Sequence, residues 1–202
     1  MDVTTTDLAV GTSAGSTAAA QLGGASPAEL FAAVVDTPVP PRHGTAPGVP
    51  GYAGRGPTAS VTAHLDRIRA IVASARDAAD MRRRLGAAAL ELEADSDGSW
   101  SARWRAIVAA RLPNQAWPER RVLVTAVDAE TGEPVVFDRD SGVDLVDAVA
   151  ASCASSLPYR IGGRAYLDGG YRSTAENADL AAGCARVLVL APFGGRTLHR
   201  TS

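Results

Sequence analysis

The chain has 202 residues, 46% of them apolar, and a formal charge of −2, which allows one sizeable core and is short for two independent ones. The near-neutral balance gives no electrostatic footprint for nucleic acid, and every basic residue is arginine. No apolar run approaches the roughly 18 residues of a membrane span, and "MDVTTTDLAV" lacks the basic and apolar regions of a secretory leader.

Residues 7–12 read as a short buried strand, followed by an Ala-rich helix that begins near Ala14 and ends at Gly23 and Gly24. Residues 36–57 are rich in proline and glycine, so a long loop is expected there, either a solvated linker or a lid over an acyl-binding groove. A variable helical middle follows at 58–112. Leu65, Ile68, Ile71 and Val72 fall at helix-face spacing, Gly86 divides the segment into two helices, and "DSDG" (95–98) stops it. Trp100 to Leu112 reads as a further amphipathic helix. Arg82, Arg83 and Arg84 read as a solvated helix end near the negative pole of the dipole, with no function.

The stretch 121–138 predicts a hairpin turning at "AETGE", and 143–154 predicts a helix. "RAYLDGG" is a short strand running into glycines. Residues 176–193 predict a helix, a Gly183 cap and a buried strand "RVLVLA". Strands alternating with helices indicate an α/β layered fold, here as one domain over 1–202. Cys153 and Cys184 sit among small apolar residues and read as two buried free thiols, with a single disulfide as the other option.

Chemistry concentrates in two places. Gly11, Thr12, Ser13, Ala14 and Gly15 form a G-x-S-x-G sequence between an apolar run and a helix, the setting in which a serine stands exposed on a sharp strand-to-helix turn. The other reading is a compact turn that needs small residues. A nucleophilic serine needs a base. His199 would complete a Ser–Asp–His order, but only 12 residues precede Ser13 where an α/β-hydrolase supplies several strands. His43, His64 and His199 therefore read as surface or structural. Asp168, in "YLDGGYRS", is the remaining candidate, because Gly169 and Gly170 let the chain turn and leave its carboxylate at a strand end. An Asp before two glycines is equally an ordinary turn.

Taken together, "GTSAG" and "DGG" resemble the two motifs of the patatin-like phospholipase family. The likeness extends through "DVTTTDLAVGTSAGSTAAAQL" (2–22) and through 144–192, which resemble the family's strand–elbow–helix and its helix–aspartate–helix–strand unit. The resemblance implies a three-layer α/β/α fold and a Ser13–Asp168 dyad that works without histidine. It implies hydrolysis of acyl esters of lipids through an acyl-enzyme, with transient interfacial membrane contact by a cytoplasmic protein. No cofactor or metal is expected: the histidines and cysteines show no ligand spacing, and no dinucleotide fingerprint occurs. The family's glycine-rich oxyanion loop, with its arginine, has no counterpart before Ser13. The fold is thus expected to be incomplete at its N-terminal strand and loop, by truncation of the start or by loss of function. A non-catalytic lipid-binding or interaction module that keeps the fold is the alternative expectation.

Overall fold

A computed structural model describes residues 2–37, 57–172 and 177–192, excluding the side chains of 57–62, 64 and 65. Strand β1 (Leu8–Gly11) leads into helix α1 (Ala14–Gly24) and then α2 (Pro27–Asp36). The start of α2 is a capping box: Ser26 Oγ accepts from Glu29 N–H while the Glu29 carboxylate accepts from Ser26 N–H, with Pro27 at the first helical position. Helices α3 (Pro57–Ser74), α4 (Ala78–Ala94) and α5 (Trp100–Ala109) follow. The chain then forms the hairpin β2 (Arg121–Asp128) and β3 (Pro134–Phe137), helix α6 (Leu145–Ser152), and the hairpin β4 (Tyr159–Ile161) and β5 (Arg164–Asp168). Short 3₁₀ turns lie at Gly169–Tyr171 and Ala178–Ala181.

The five strands form one mixed sheet, and its register explains the site. Val124 of β2 is paired with both Gly11 and Phe137, and Ala126 with both Val135 and Asp168. A strand has only two edges, so β3 occupies one edge of β2, and β1 and β5 share the other. β1 runs parallel to β2 and β5 antiparallel. Their C-terminal ends therefore point at each other along β2, and Thr125 is the β2 residue opposite the gap. The two strand ends thus meet end to end.

Helices cover both faces of the sheet, as alternation along β2 requires. Val122, Val124 and Ala126 pack with α1, α5 and α6 through residues such as Ala20, Trp104 and Val149. Val127 and Ala129 face α3 and α4 through Ile71, Met81 and Leu85. Of β5, Leu167 lies on the α3–α4 side. Asp168 stands directly opposite Ala126 and so lies on the α1–α6 side. The chain is thus mixed α/β with six described helices, as the alternation of elements predicts.

Several expectations are corrected. "RVLVLA" forms no strand: residues 186–191 are irregular, and Val187 to Leu190 are 47% to 74% exposed. β-branched composition makes a strand only where a ladder edge and a covering layer receive it, and no described strand pairs with this segment. The helix before it reduces to the 3₁₀ turn Ala178–Ala181. The break in the helical middle falls at 75–77, where the Asp77 side chain caps α4 by accepting from Asp80 N–H. Gly86 lies inside α4 because a Cβ there would come within 2.0 Å of Ala129 O. The three arginines belong to the first half of α4, not its end. Arg82 is half-buried and donates to Gly132 O at 2.6 Å and Arg172 O at 2.8 Å, tying the β2–β3 turn to the segment after Asp168. Cys184 is exposed, Cys153 half-buried, and both are free. Most of the proline- and glycine-rich loop (38–56), His43 and His199 lie outside the described residues, as does the His64 side chain within α3. Among the described residues no helix is long and apolar enough to cross a membrane.

Candidate active site

Ser13 occupies the corner between β1 and α1 with φ 53° and ψ −125°. Positive φ is costly for a residue with a Cβ, about 1–3 kcal/mol, and persists only where the surroundings enforce it. The enforcement is visible. Ser13 N–H donates to Ser152 Oγ at 2.9 Å, and Ser152, the last residue of α6, is fully buried. Gly15 N–H closes back on Thr12 O, and Ser16 N–H on Ser13 O. A Cβ on Gly11 would lie 2.5 Å from Ser16 Cα, so only glycine lets the helix turn this sharply. A Cβ on Gly15 would meet nothing within 4 Å. That position is exposed and open, so its smallness is not needed for folding.

The corner delivers Ser13 Oγ to Asp168. The hydroxyl donates to Asp168 Oδ2 at 2.7 Å, and Gly170 N–H donates to Asp168 Oδ1 at 2.8 Å. Burial pushes the Asp168 carboxyl up to about 6, against the opposing pull of the Gly170 N–H and the Ser13 hydroxyl. The residue is only 7% exposed. A carboxylate of that basicity is mostly ionised at neutral pH and accepts a hydroxyl proton more readily than a solvated aspartate. Gly169 passes so close to β2 that a Cβ would come within 2.1 Å of Thr125 Oγ1. Half-buried Cys153, whose thiol is pushed up to about 11 by burial, lies 3.7 Å from Ser16 Oγ and remains protonated.

The structure therefore brings together the two residues singled out from separate motifs, 155 positions apart. It adds four that sequence reasoning missed: Ser152, Thr125, Ser16 and Asn177. All four are fully buried polar residues packed around these turns. Their signals are weak, since an isolated serine, threonine or asparagine looks the same in a core as on a surface. Ser13 N–H is engaged by Ser152, while Ala14 N–H, at the exposed first position of α1, lies outside the helical ladder at the positive end of the dipole. An apolar cavity of about 290 Å³ lined by Ile68, Leu85, Leu167 and Tyr171 belongs to the α3–α4 side, the opposite face from the Asp168 carboxylate.

Neither a scan against protein-family models nor a search among curated proteins finds a match to this chain.

Proposed function

We propose that the protein is a serine acyl-ester hydrolase of patatin-like type, on a three-layer α/β/α fold, acting on lipid or related esters. The observation that carries this reading is the 2.7 Å contact between Ser13 Oγ, held at a strained strand-to-helix corner, and the buried carboxylate of Asp168. A serine and aspartate placed only for stability would have no need of a positive φ at the serine or of a carboxylate buried at a cost.

In this mechanism Ser13 Oγ attacks the acyl carbonyl carbon as its proton passes to Asp168 Oδ2. The carbonyl electron pair moves to oxygen, and the oxyanion forms near the N-terminus of α1, where Ala14 N–H can donate. Collapse of the tetrahedral species expels the alcohol, which takes the proton from Asp168. Water then attacks the acyl-enzyme, giving a proton to Asp168, and the second tetrahedral species collapses as Ser13 Oγ takes that proton back, releasing the acid and restoring the ionised Asp168. One backbone donor is a modest oxyanion site, since loss of a single donor costs about 10²–10³ in turnover elsewhere. Turnover is accordingly expected to be slow. A membrane would be met only transiently, to take up substrate.

The test is labelling with a fluorophosphonate probe, followed by peptide mapping, and hydrolysis of p-nitrophenyl butyrate. Modification at Ser13, abolished by Ser13→Ala and strongly reduced by Asp168→Asn, supports the reading. A folded protein that neither labels nor hydrolyses would sink it, and would favour a binding module that keeps the fold.

A further inference from the structure

Asn177 is fully buried and adopts the left-handed conformation, φ 48° and ψ 35°, that asparagine tolerates better than other side-chain-bearing residues. Its amide nitrogen lies 2.9 Å from Thr12 Oγ1, 3.0 Å from Gly169 O and 3.2 Å from Thr125 Oγ1. Gly169 O can only accept, and Arg172 donates to the Asn177 Oδ1 at 3.2 Å, so the amide orientation is fixed by its partners. Thr12 Oγ1 and Thr125 Oγ1 are themselves 2.9 Å apart, and Thr125 Oγ1 donates to Gly11 O at 3.4 Å. One side chain thus joins the residue before Ser13, the residue after Asp168 and the β2 residue opposite the gap between their strands.

By register Thr125 lies on the α3–α4 side with Val127, and Asp168 on the other side with Ala126. Asn177 therefore grips both turns from behind, through Thr12, Thr125 and Gly169. No ladder hydrogen bond joins β1 to β5, which meet only at their ends. Pairing with β2 sets their separation to the nearest residue; the finer spacing falls to contacts across the gap, and a 1 Å error there is costly. The geometry points to Asn177 as a positioning residue that fixes the distance between Ser13 and Asp168. This rests on the hydrolase reading for its catalytic meaning, though not for its geometric content.

The experiment uses Asn177→Gly, which keeps the left-handed backbone without strain, and Asn177→Asp, which keeps the shape and the Arg172 contact but repels Gly169 O. Folding is checked by circular dichroism, and two quantities are read. One is the rate of fluorophosphonate labelling at Ser13. The other is the titration midpoint of the Asp168 carboxyl, followed by carbon-13 NMR. Both variants are expected to fold and to label about 100-fold more slowly. The Asp168 midpoint should rise above the native value, because the Ser13 hydroxyl and Gly170 N–H that hold it down are displaced. The rise should be larger in Asn177→Asp, whose carboxylate adds a like charge.

Labelling at the native rate, or an unmoved Asp168 midpoint in a folded variant, overturns the proposal. So does failure of both variants to fold, which would make Asn177 purely structural. If the native protein itself does not label, the hydrolase reading fails, and the titration still decides whether Asn177 sets the geometry.

Discussion

Replacing Asp168 with asparagine tests the site through stability as well as activity. The carboxyl is buried and raised from its ordinary 3.8 to about 6, so above that pH the folded protein carries an ionised group that burial disfavours. Each pH unit of separation between folded and unfolded titration is worth about 1.36 kcal/mol. The ionised carboxylate therefore destabilises the fold by about 3 kcal/mol relative to a neutral group. The sign follows from proton counting: between pH 3.8 and about 6 the folded state holds the proton and the unfolded state has lost it, so native stability falls as pH rises through that window. Asparagine has the same shape, can accept from Gly170 N–H and carries no charge. Asp168→Asn is thus expected to abolish turnover while raising stability near pH 8 by up to about 3 kcal/mol, or about 6–12 °C in Tm for a chain of this size. The gain should shrink through the window and vanish near pH 3.8. Urea unfolding of both proteins across this range measures it. A variant less stable than the native protein near pH 8, or an advantage independent of pH, would refute the reasoning.

Other outcomes follow from the same geometry. The rate kcat/KM for p-nitrophenyl butyrate should decline with unit slope on the acid side of about pH 6, where Asp168 becomes protonated and can no longer accept the Ser13 proton; a flat profile from pH 5 to pH 7 would contradict the assignment. Ser13→Gly and Ser13→Ala should both be inactive, with the glycine variant more stable by about 1 kcal/mol because it alone relieves the positive φ. Equal thermal melts would show that the corner is not strained. Gly11→Ala should destabilise the protein by about 3 kcal/mol through overlap with Ser16. Gly15→Ala should fold at least as well as the native chain yet lower kcat/KM, because its methyl adds bulk to open space two residues from the serine. Unchanged kinetics in Gly15→Ala would place the substrate elsewhere.

The features legible in the sequence were local ones. A glycine-flanked serine between an apolar run and an Ala-rich segment announces β1, the corner and α1 together, because sterics at the corner act on neighbours in sequence. Asp168 before two glycines announces a turn at a strand end for the same reason. Ser152, Thr125 and Asn177 were invisible because their roles are hydrogen bonds across 139, 113 and 165 positions. Two further features have local signals of their own. "SPAE" is a capping box that starts α2, and Gly162–Gly163, both at positive φ, turn the β4–β5 hairpin. The helical middle was divided at the wrong residue because a glycine inside a helix looks like a breaker, whereas Gly86 answers the close approach of Ala129 O. "RVLVLA" was misread because strand propensity is largely a statement about neighbours.

The end-to-end arrangement of β1 and β5 along one edge of β2 makes the separation of the two reacting groups a discrete quantity. A strand can move along its partner only in steps of one residue, about 3.3 Å, and an odd step carries every side chain to the opposite face. Inserting a single residue into β5 would send Asp168 to the side of the sheet where Leu167 now lies, and inserting two would push it about 7 Å along the ladder. Length changes in either strand should therefore switch the chemistry off completely, never attenuate it, while insertions in the segments connecting the helices leave it intact.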